Sequence, residues 1–483
     1  MNKIAVLIIS IIFLAACQQT SKVKQETNKT VVEVNEILSL ITIEAIKAQD
    51  FSQAQRSITA LILSNDSNAW EFINSAIISL PQDMGLEIIE ASLQLDSVKS
   101  SSSQLFGLAK TFISYQDQDR ALELINQSLQ LNNENHDARF WRARLLTIMK
   151  QYEKAELDFE YILKKRPKNS EYAEQYASFL QEIKQYEKAQ EILAKQKPTP
   201  DNLFRRIIFT LQAGNNTSAN ELFQQLKVIE VDDESENNKY FLIAEAAYFL
   251  EHLEESQEYY KKVLGGKHYL DARDMLSMIL FESEKYDESK EILHQLQNAE
   301  EKYAVKAYRL ESQINKIQGD SDAALETLNR SLQILSDNPI LLYDRAMLHE
   351  SMNNLDLVEQ DLLQIIEKDP KNYEALNALG YSLADHDLKL EEAHEYIKKA
   401  IKLAPNNPAI IDSLGWVQYK LGQYEKAEKN FKMAIDTNIQ DAELYIHLYK
   451  TLIKLDKTQE AQELLLKALD IFPDNAKIKE LND

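Results

Sequence analysis

The sequence predicts an all-α solenoid of about thirteen stacked helix-turn-helix repeats. Three observations predict it. A four-residue motif returns as Tyr152-Glu-Lys-Ala155, Tyr186-Glu-Lys-Ala189 and Tyr424-Glu-Lys-Ala427. The position of its alanine can be followed through Ala54, Met84, Ala121, Ala155, Ala189, Ala219, Ser256, Ser289, Ala324, Val358, Ala393, Ala427 and Ala461, at a mean step of about 34 residues. Finally, the 483 residues contain only 9 Gly and 9 Pro, roughly a third of the usual share, so few tight turns are available to a sheet-rich fold.

The first element is an export signal, residues 1–16. Lys3 supplies the positive start, and the apolar run from Ile4 to Ala16 is too short to span roughly 30 Å of hydrocarbon as a helix. It ends in Leu14-Ala15-Ala16-Cys17, which resembles a bacterial lipobox, and Cys17 is the chain's one cysteine. The resemblance implies a mature protein that begins at Cys17 with a covalent diacylglycerol and an N-acyl chain, and no other cofactor. Gln18 follows where an Asp would signal retention in the inner membrane, so the expected location is the outer membrane, facing the periplasm. Residues 17–34 are polar at their start and are expected to form a lipidated, flexible tether.

The repeats then run through 35–229, an N-terminal array of degenerate copies, and 237–475, a C-terminal array, with 476–483 starting a cap helix. The second copy, around Met84, contains Pro81 and has the least regular boundaries. Two stretches break the pattern. Lys195 to Asn202 reads KQKPTPDN, and Val231 to Asn238 reads VDDESENN, too polar for a packed helix face. The best copy places Leu414-Gly415 on the first helix of a pair (helix A) and Tyr424, Ala427, Phe431 and Ala434 on the second (helix B). Small residues let paired helices approach, and large apolar ones fill the space between them. A lone pair cannot bury both its faces, so the pairs must stack. Period and code are those of tetratricopeptide repeats, which the chain resembles throughout.

The formal charge of −23 disfavours nucleic acid and anionic lipid. It is concentrated: −15 falls within 203–370 and −4 on either side. That acidic belt is either a solvated face or a surface for a basic partner. Against it, Arg139 to Lys168 is basic. Lys164, Lys165 and Arg166 suit the end of a B helix, while Arg142 and Arg144 are the candidates for an acidic partner.

No catalytic constellation is present. The eight histidines are scattered, neither HExxH nor GxSxG occurs, and His386 and His394 beside Asp385 and Asp387 have no repeated ligand spacing. The expectation is a non-enzyme with no metal site.

The tetratricopeptide resemblance implies that helix A lines a concave groove with its second, fifth, ninth, twelfth and thirteenth positions. In the clearest repeats these are Asn377, Tyr381 and Asp385; Asp412, Trp416, Tyr419 and Lys420; and Ile446, Lys450 and Lys454. Aromatic residues beside charges suit an extended peptide or a partner helix, although Trp416 and Tyr419 could equally pack between neighbouring A helices. The Lys and Asn pattern of chaperone carboxylate clamps is missing here.

The segments Ala375-Leu-Asn-Ala-Leu-Gly-Tyr-Ser-Leu-Ala-Asp385 and Asn407-Pro-Ala-Ile-Ile-Asp-Ser-Leu-Gly-Trp-Val-Gln-Tyr419 resemble proteobacterial outer-membrane tetratricopeptide lipoproteins. Some of these are adaptors that bind a periplasmic carboxyl-terminal processing protease and present cell-wall (peptidoglycan) hydrolases to it. The resemblance implies a lipid-anchored periplasmic scaffold for protein partners of that kind. The alternative is a structural subunit of an envelope export machine for exopolysaccharide or pili.

Overall fold

Two helix pairs near the end of the array close on a contact too tight for ordinary side chains. In helix Pro408–Lys420 a Cβ on Gly415 would lie 2.6 Å from the Phe431 ring of its partner, helix Tyr424–Ile435. In helix Tyr373–Asp385 a Cβ on Gly380 would lie 2.5 Å from Ile397 and 2.8 Å from the Ala393 carbonyl of helix Leu390–Leu403. Facing them, Ala155, Ala189, Ala393, Ala427 and Ala461 have no exposed surface. The recurring alanine of the sequence is therefore where helix B touches helix A.

The computed structural model describes residues 21–64, 69–437 and 441–481. These residues form thirteen A/B pairs, the short helix Asp96–Lys99 and a terminal helix Ala476–Glu480, with no strand among them. The signal segment and Cys17 lie outside the described residues. The chain divides into two compact units, Met1–Glu230 and Val231–Asp483.

Local chemistry starts and stops the helices. Asn407 accepts hydrogen bonds from the amides of Ala409 and Ile410 with Pro408 in the first turn, and Asn135, Asn169, Asn338 and Asn372 cap other A helices in the same way. After Lys420 the chain turns through Gly422 at φ 73°; the Gly422 amide donates to the Tyr419 carbonyl and the Gln423 amide to the Gln418 carbonyl, a Schellman closure. The same left-handed position is occupied by Gln116, Lys150, Lys184, Glu251, Glu284, Asn353 and Asp456 in other pairs. That is how the fold manages with so little glycine.

Stacked pairs share continuous cores, the largest running from Ala304 to Ala461 in the second unit. Buried ion pairs tie the layers together. Arg142 grips both carboxylate oxygens of Asp158 at 2.7 and 2.8 Å and donates to Asn126 of the preceding pair at 2.8 Å. Arg345 repeats this with Asp361, at 2.8 and 2.6 Å, and with Asn329 at 2.8 Å. Every residue of the second clamp is 203 positions after its counterpart, six repeats on. Arg142 is thereby occupied within its own unit. Lys164 and Lys165 sit in the last turn of helix Tyr152–Lys165 and Arg166 is its C-cap, where they complement the helix dipole.

Four expectations change. Residues 21–34, read as the greater part of a flexible tether, are helical within helix Ser21–Lys47. No Gly or Pro interrupts the run from 18 to 47, so a helix packed at its C-terminal end propagates backwards at little cost. The VDDESENN stretch is helical from Asp233, so the second array begins before 237: Asp232 caps helix Asp233–Phe249, and Asp233, Glu234 and Glu236 favour its positive end. Of KQKPTPDN, Pro200 onward belongs to helix Pro200–Gln212 behind its Thr199 cap. In the second repeat the contact residue is Gly85, one place after Met84; a Cβ there would lie 3.1 Å from Ile77 of its partner helix and would strike the Tyr115 hydroxyl of the next repeat.

Two predictions follow from this packing. Gly380→Ala should lower stability by about 2–3 kcal/mol in urea unfolding followed by circular dichroism, because backbone on the far side cannot yield. His349, 5% exposed, is held below its ordinary value of 6.5 first by burial, then by the Arg345 charge against the opposing pull of Asp361. The unfolded chain therefore binds a proton that the native chain refuses as pH falls from about 6.5 toward the depressed native value, and stability declines across that window. His349→Leu should flatten the decline in melts between about pH 7 and 5.

Candidate functional site: the helix A face of the second unit

Helices Tyr373–Asp385, Pro408–Lys420 and Ala442–Lys454 are the A helices of the last three pairs. Each contacts the next, and the contact is closest between the first two; their B helices lie further from one another, which turns the A face inward. The positions implied for the groove fall on this face, and side chains from consecutive helices engage across it.

Trp416 is its centre and is 5% exposed. Its ring stacks on Tyr419 at 5.1 Å and on His447 of the next A helix at 4.1 Å, and its indole N–H donates to Asp385 of the preceding one at 3.0 Å. Tyr419 also meets Tyr424 at 5.4 Å. Trp416 is thus a packing residue joining three repeats. Lys420 donates to the Asp385 carbonyl and to Asp387, both at 2.9 Å, with its ammonium 5.1 Å from the Trp416 ring. Asp412 lies 3.0 Å from Nδ1 of His447.

Three residues remain open to a partner. Tyr381 is half-buried, and its phenol is pushed up by burial and then by the carboxylates of Asp385, Asp412, Glu443 and Asp441. Lys450 is exposed with its ammonium 5.6 Å from the Trp416 ring, and Lys454 is exposed beyond it. Asn377 is half-buried, and its side-chain oxygen has no hydrogen-bond partner among the described residues.

Ile446, expected in the groove, is instead 3% exposed and packs with Tyr445, Leu465, Ala468 and Ile478. The reason is the terminal helix Ala476–Glu480, which takes the place of another A helix and covers that position; its Lys477 pairs with Glu443. His447 was not singled out from the sequence. Its signal is the spacing from Asp412 of one repeat plus one residue, which sets it beside the Trp416 row.

The acidic belt is partly consumed by pairing within and between repeats. Asp274 binds Lys306 at 2.6 Å, Asp344 binds Arg309 at 2.5 Å, and Glu311 meets Arg330 at 3.1 Å and His294 at 3.2 Å. Among the described residues no group of three or more His, Cys, Asp or Glu side chains could hold a metal ion. The arrangement offers polar, aromatic and charged contacts along a stacked face, which is the chemistry of recognition.

Stacked helix pairs with an inward A face define a repeat-solenoid protein. The repeats are tetratricopeptide repeats: models of that family match residues 343–408 and 240–265. A TPR repeat-containing protein of Pseudomonas aeruginosa is 34% identical over 189 residues, covering 39% of this chain and 32% of that protein. One from Methanocaldococcus jannaschii is 27% identical over 255 residues, covering 51% and 38%. The chain thus spans about a third of the length of these relatives. A tetratricopeptide repeat protein from Parabacteroides merdae aligns in structure with a TM-score of 0.42 and 16% identity, over 51% of this chain and 97% of the other.

Trp416→Ala should cost about 3–5 kcal/mol in urea unfolding, because it removes a ring shared by three repeats and leaves Asp385 without its donor. Trp416→Phe should recover part of that loss.

Proposed function

We propose that this chain is a non-enzymatic scaffold that binds protein partners along the A face of its second unit. The observation that supports the reading is the row itself: Tyr381, Lys450 and Lys454 stay open on a face where Asp385, Asp412, Trp416 and Lys420 are fixed by bonds between neighbouring repeats. A preorganised surface of this kind loses little entropy when an extended segment docks on it.

In its most specific form the scaffold is held at the periplasmic face of the outer membrane by lipid on Cys17. There it presents cell-wall hydrolases to a carboxyl-terminal processing protease. Support comes from the lipobox-like ending of the leader and from the segments 375–385 and 407–419 that resemble such adaptors. A single acyl chain anchors weakly, so the diacylglycerol together with the N-acyl chain fits a permanent attachment.

Pulldown with the lipidated chain from a periplasmic extract should recover a protease, a cell-wall hydrolase or both. A Tyr381→Ala, Lys450→Ala variant with an unchanged melting curve should recover at least about fivefold less. Recovery of neither enzyme sinks the adaptor form. A gene deletion that abolishes exopolysaccharide or pilus export while hydrolase levels stay constant would replace it with the export-subunit reading.

A further inference from the structure

Seven of the twelve arginines of this acidic chain hold carboxylates or backbone carbonyls. In the second unit Arg309, Arg330 and Arg345 hold carboxylates, and Arg273 donates to the carbonyls of Tyr260, Lys261 and Val263. In the first unit Arg120, Arg139 and Arg142 hold carboxylates. Arg56 and Arg166 are exposed. Three half-buried arginines remain without a carboxylate partner among the described residues: Arg144, Arg205 and Arg206. With 77 Asp and Glu in the chain, that is not for want of acids.

Repeat register places two of the three on the A face of the first unit. Arg144 is the ninth residue of helix His136–Ile148, the position that Tyr381, Trp416 and Lys450 occupy in their own A helices. Lys110 is the ninth residue of helix Ser102–Ser114. Arg205 is the sixth residue of helix Pro200–Gln212, the register of His447, and it donates to Ser178, the ninth residue of helix Ser170–Glu182, at 2.8 Å.

Aromatic rings hold these cations in place. The Arg144 guanidinium stands 4.5 Å from Trp141 and 5.8 Å from Phe140, Lys110 stands 4.8 Å from Phe106, and Arg205 stands 5.6 Å from Phe209. Rings orient a cation without neutralising it. The Glu174 carbonyl accepts from Arg205 at 3.4 Å while its carboxylate stays outside ion-pair distance. Arg205 is held below its ordinary value by burial, against the weaker opposing pull of the Glu174 charge.

We propose that the A face of the first unit docks an acidic, extended peptide segment, with Lys110, Arg144 and Arg205 receiving its carboxylates. Charge complementarity selects the sign of the partner. Geometry selects an extended chain: neighbouring packed helices lie about 10 Å apart, and a strand advances about 3.3 Å per residue. Lys110 and Arg144 are on successive A helices and Arg205 is two further on, so the matching carboxylates fall about three and then about six residues apart. A partner folded as a sphere, or an anionic bilayer, would not meet that spacing. The proposal is separate from the second-unit reading, and its readout does not involve Tyr381 or Lys450.

The test is fluorescence anisotropy with the full chain and a labelled peptide of about twelve residues, carrying glutamates three and then six positions apart among Ser and Ala. Controls are the same peptide with Gln for Glu, and phosphatidylglycerol vesicles. The glutamate peptide should bind, more weakly as salt rises from about 0.05 to 0.3 M. Lys110→Gln, Arg144→Gln, Arg205→Gln together should weaken it at least about tenfold. Arg144→Lys should retain binding in that background of otherwise native residues, and Lys99→Gln with Lys195→Gln, exposed lysines off this face, should change nothing. The single Arg144→Gln, with circular dichroism matching the parent, serves if the triple variant is unstable. Equal binding of the glutamine peptide, indifference to the arginine substitutions, or arginine-dependent binding of vesicles in place of the peptide would each overturn the proposal.

Discussion

The distance between helix A and helix B is the constraint on which everything else depends. It is set by a few positions where any atom beyond a methyl on one side, or beyond hydrogen on the other, would collide: Gly380 against Ala393 and Gly415 against Phe431. At that separation Ile397 and Phe431 seal each pair, and the outer faces left over match the faces of the next pair. Stacking is then the only way to bury them. The thirteen pairs among the described residues are thus stacked for a common reason, the burial of faces that no pair can cover alone.

Charge follows from the same geometry. Once helices are this close, a carboxylate on one repeat meets cations on its neighbours, and the chain uses this to fix register. The clamps of Arg142 on Asp158 and of Arg345 on Asp361 each reach an Asn of the preceding pair, so they specify order along the stack as well as packing within it. Exposed ion pairs contribute little, but these acids are buried, and removal of one partner would strand a charge away from water. The belt of 203–370 is consequently less a bare acidic surface than its composition implies.

Much of this was legible beforehand, and the reasons differ by residue. Helix pairs were legible because one alanine position recurs at a near-constant step. The groove row of Tyr381, Asp385, Asp412, Trp416 and Lys420 was legible because register alone assigns a face. Its internal engagement was not: whether Trp416 meets a ligand or a neighbour depends on His447 and Asp385, which lie roughly one repeat away on either side. Ile446 was misplaced because its burial is caused by the terminal helix, an end effect that a periodic argument cannot contain. The helix over 21–34 escaped notice because polar composition reports poor burial, while continuity of helix needs only the absence of a breaker.

The unpaired cations acquire their meaning from this background. A Lys or Arg without a partner on the rim of an ordinary protein carries no information, since water serves it well. Here five of the eight buried or half-buried guanidinium groups, those of Arg120, Arg139, Arg142, Arg273 and Arg345, are matched with an acid or with carbonyls, so the others persist against many available pairings. Arg144 stands two residues from Arg142, on the same helix; one faces Asp158 of its own pair and is satisfied, and the other faces the A side and is not. The helical period separates the two by about 200°, which is why two arginines of one basic stretch divide into a structural residue and a recognition residue. Sequence proximity joined them, and the fold sets them on opposite sides of one helix.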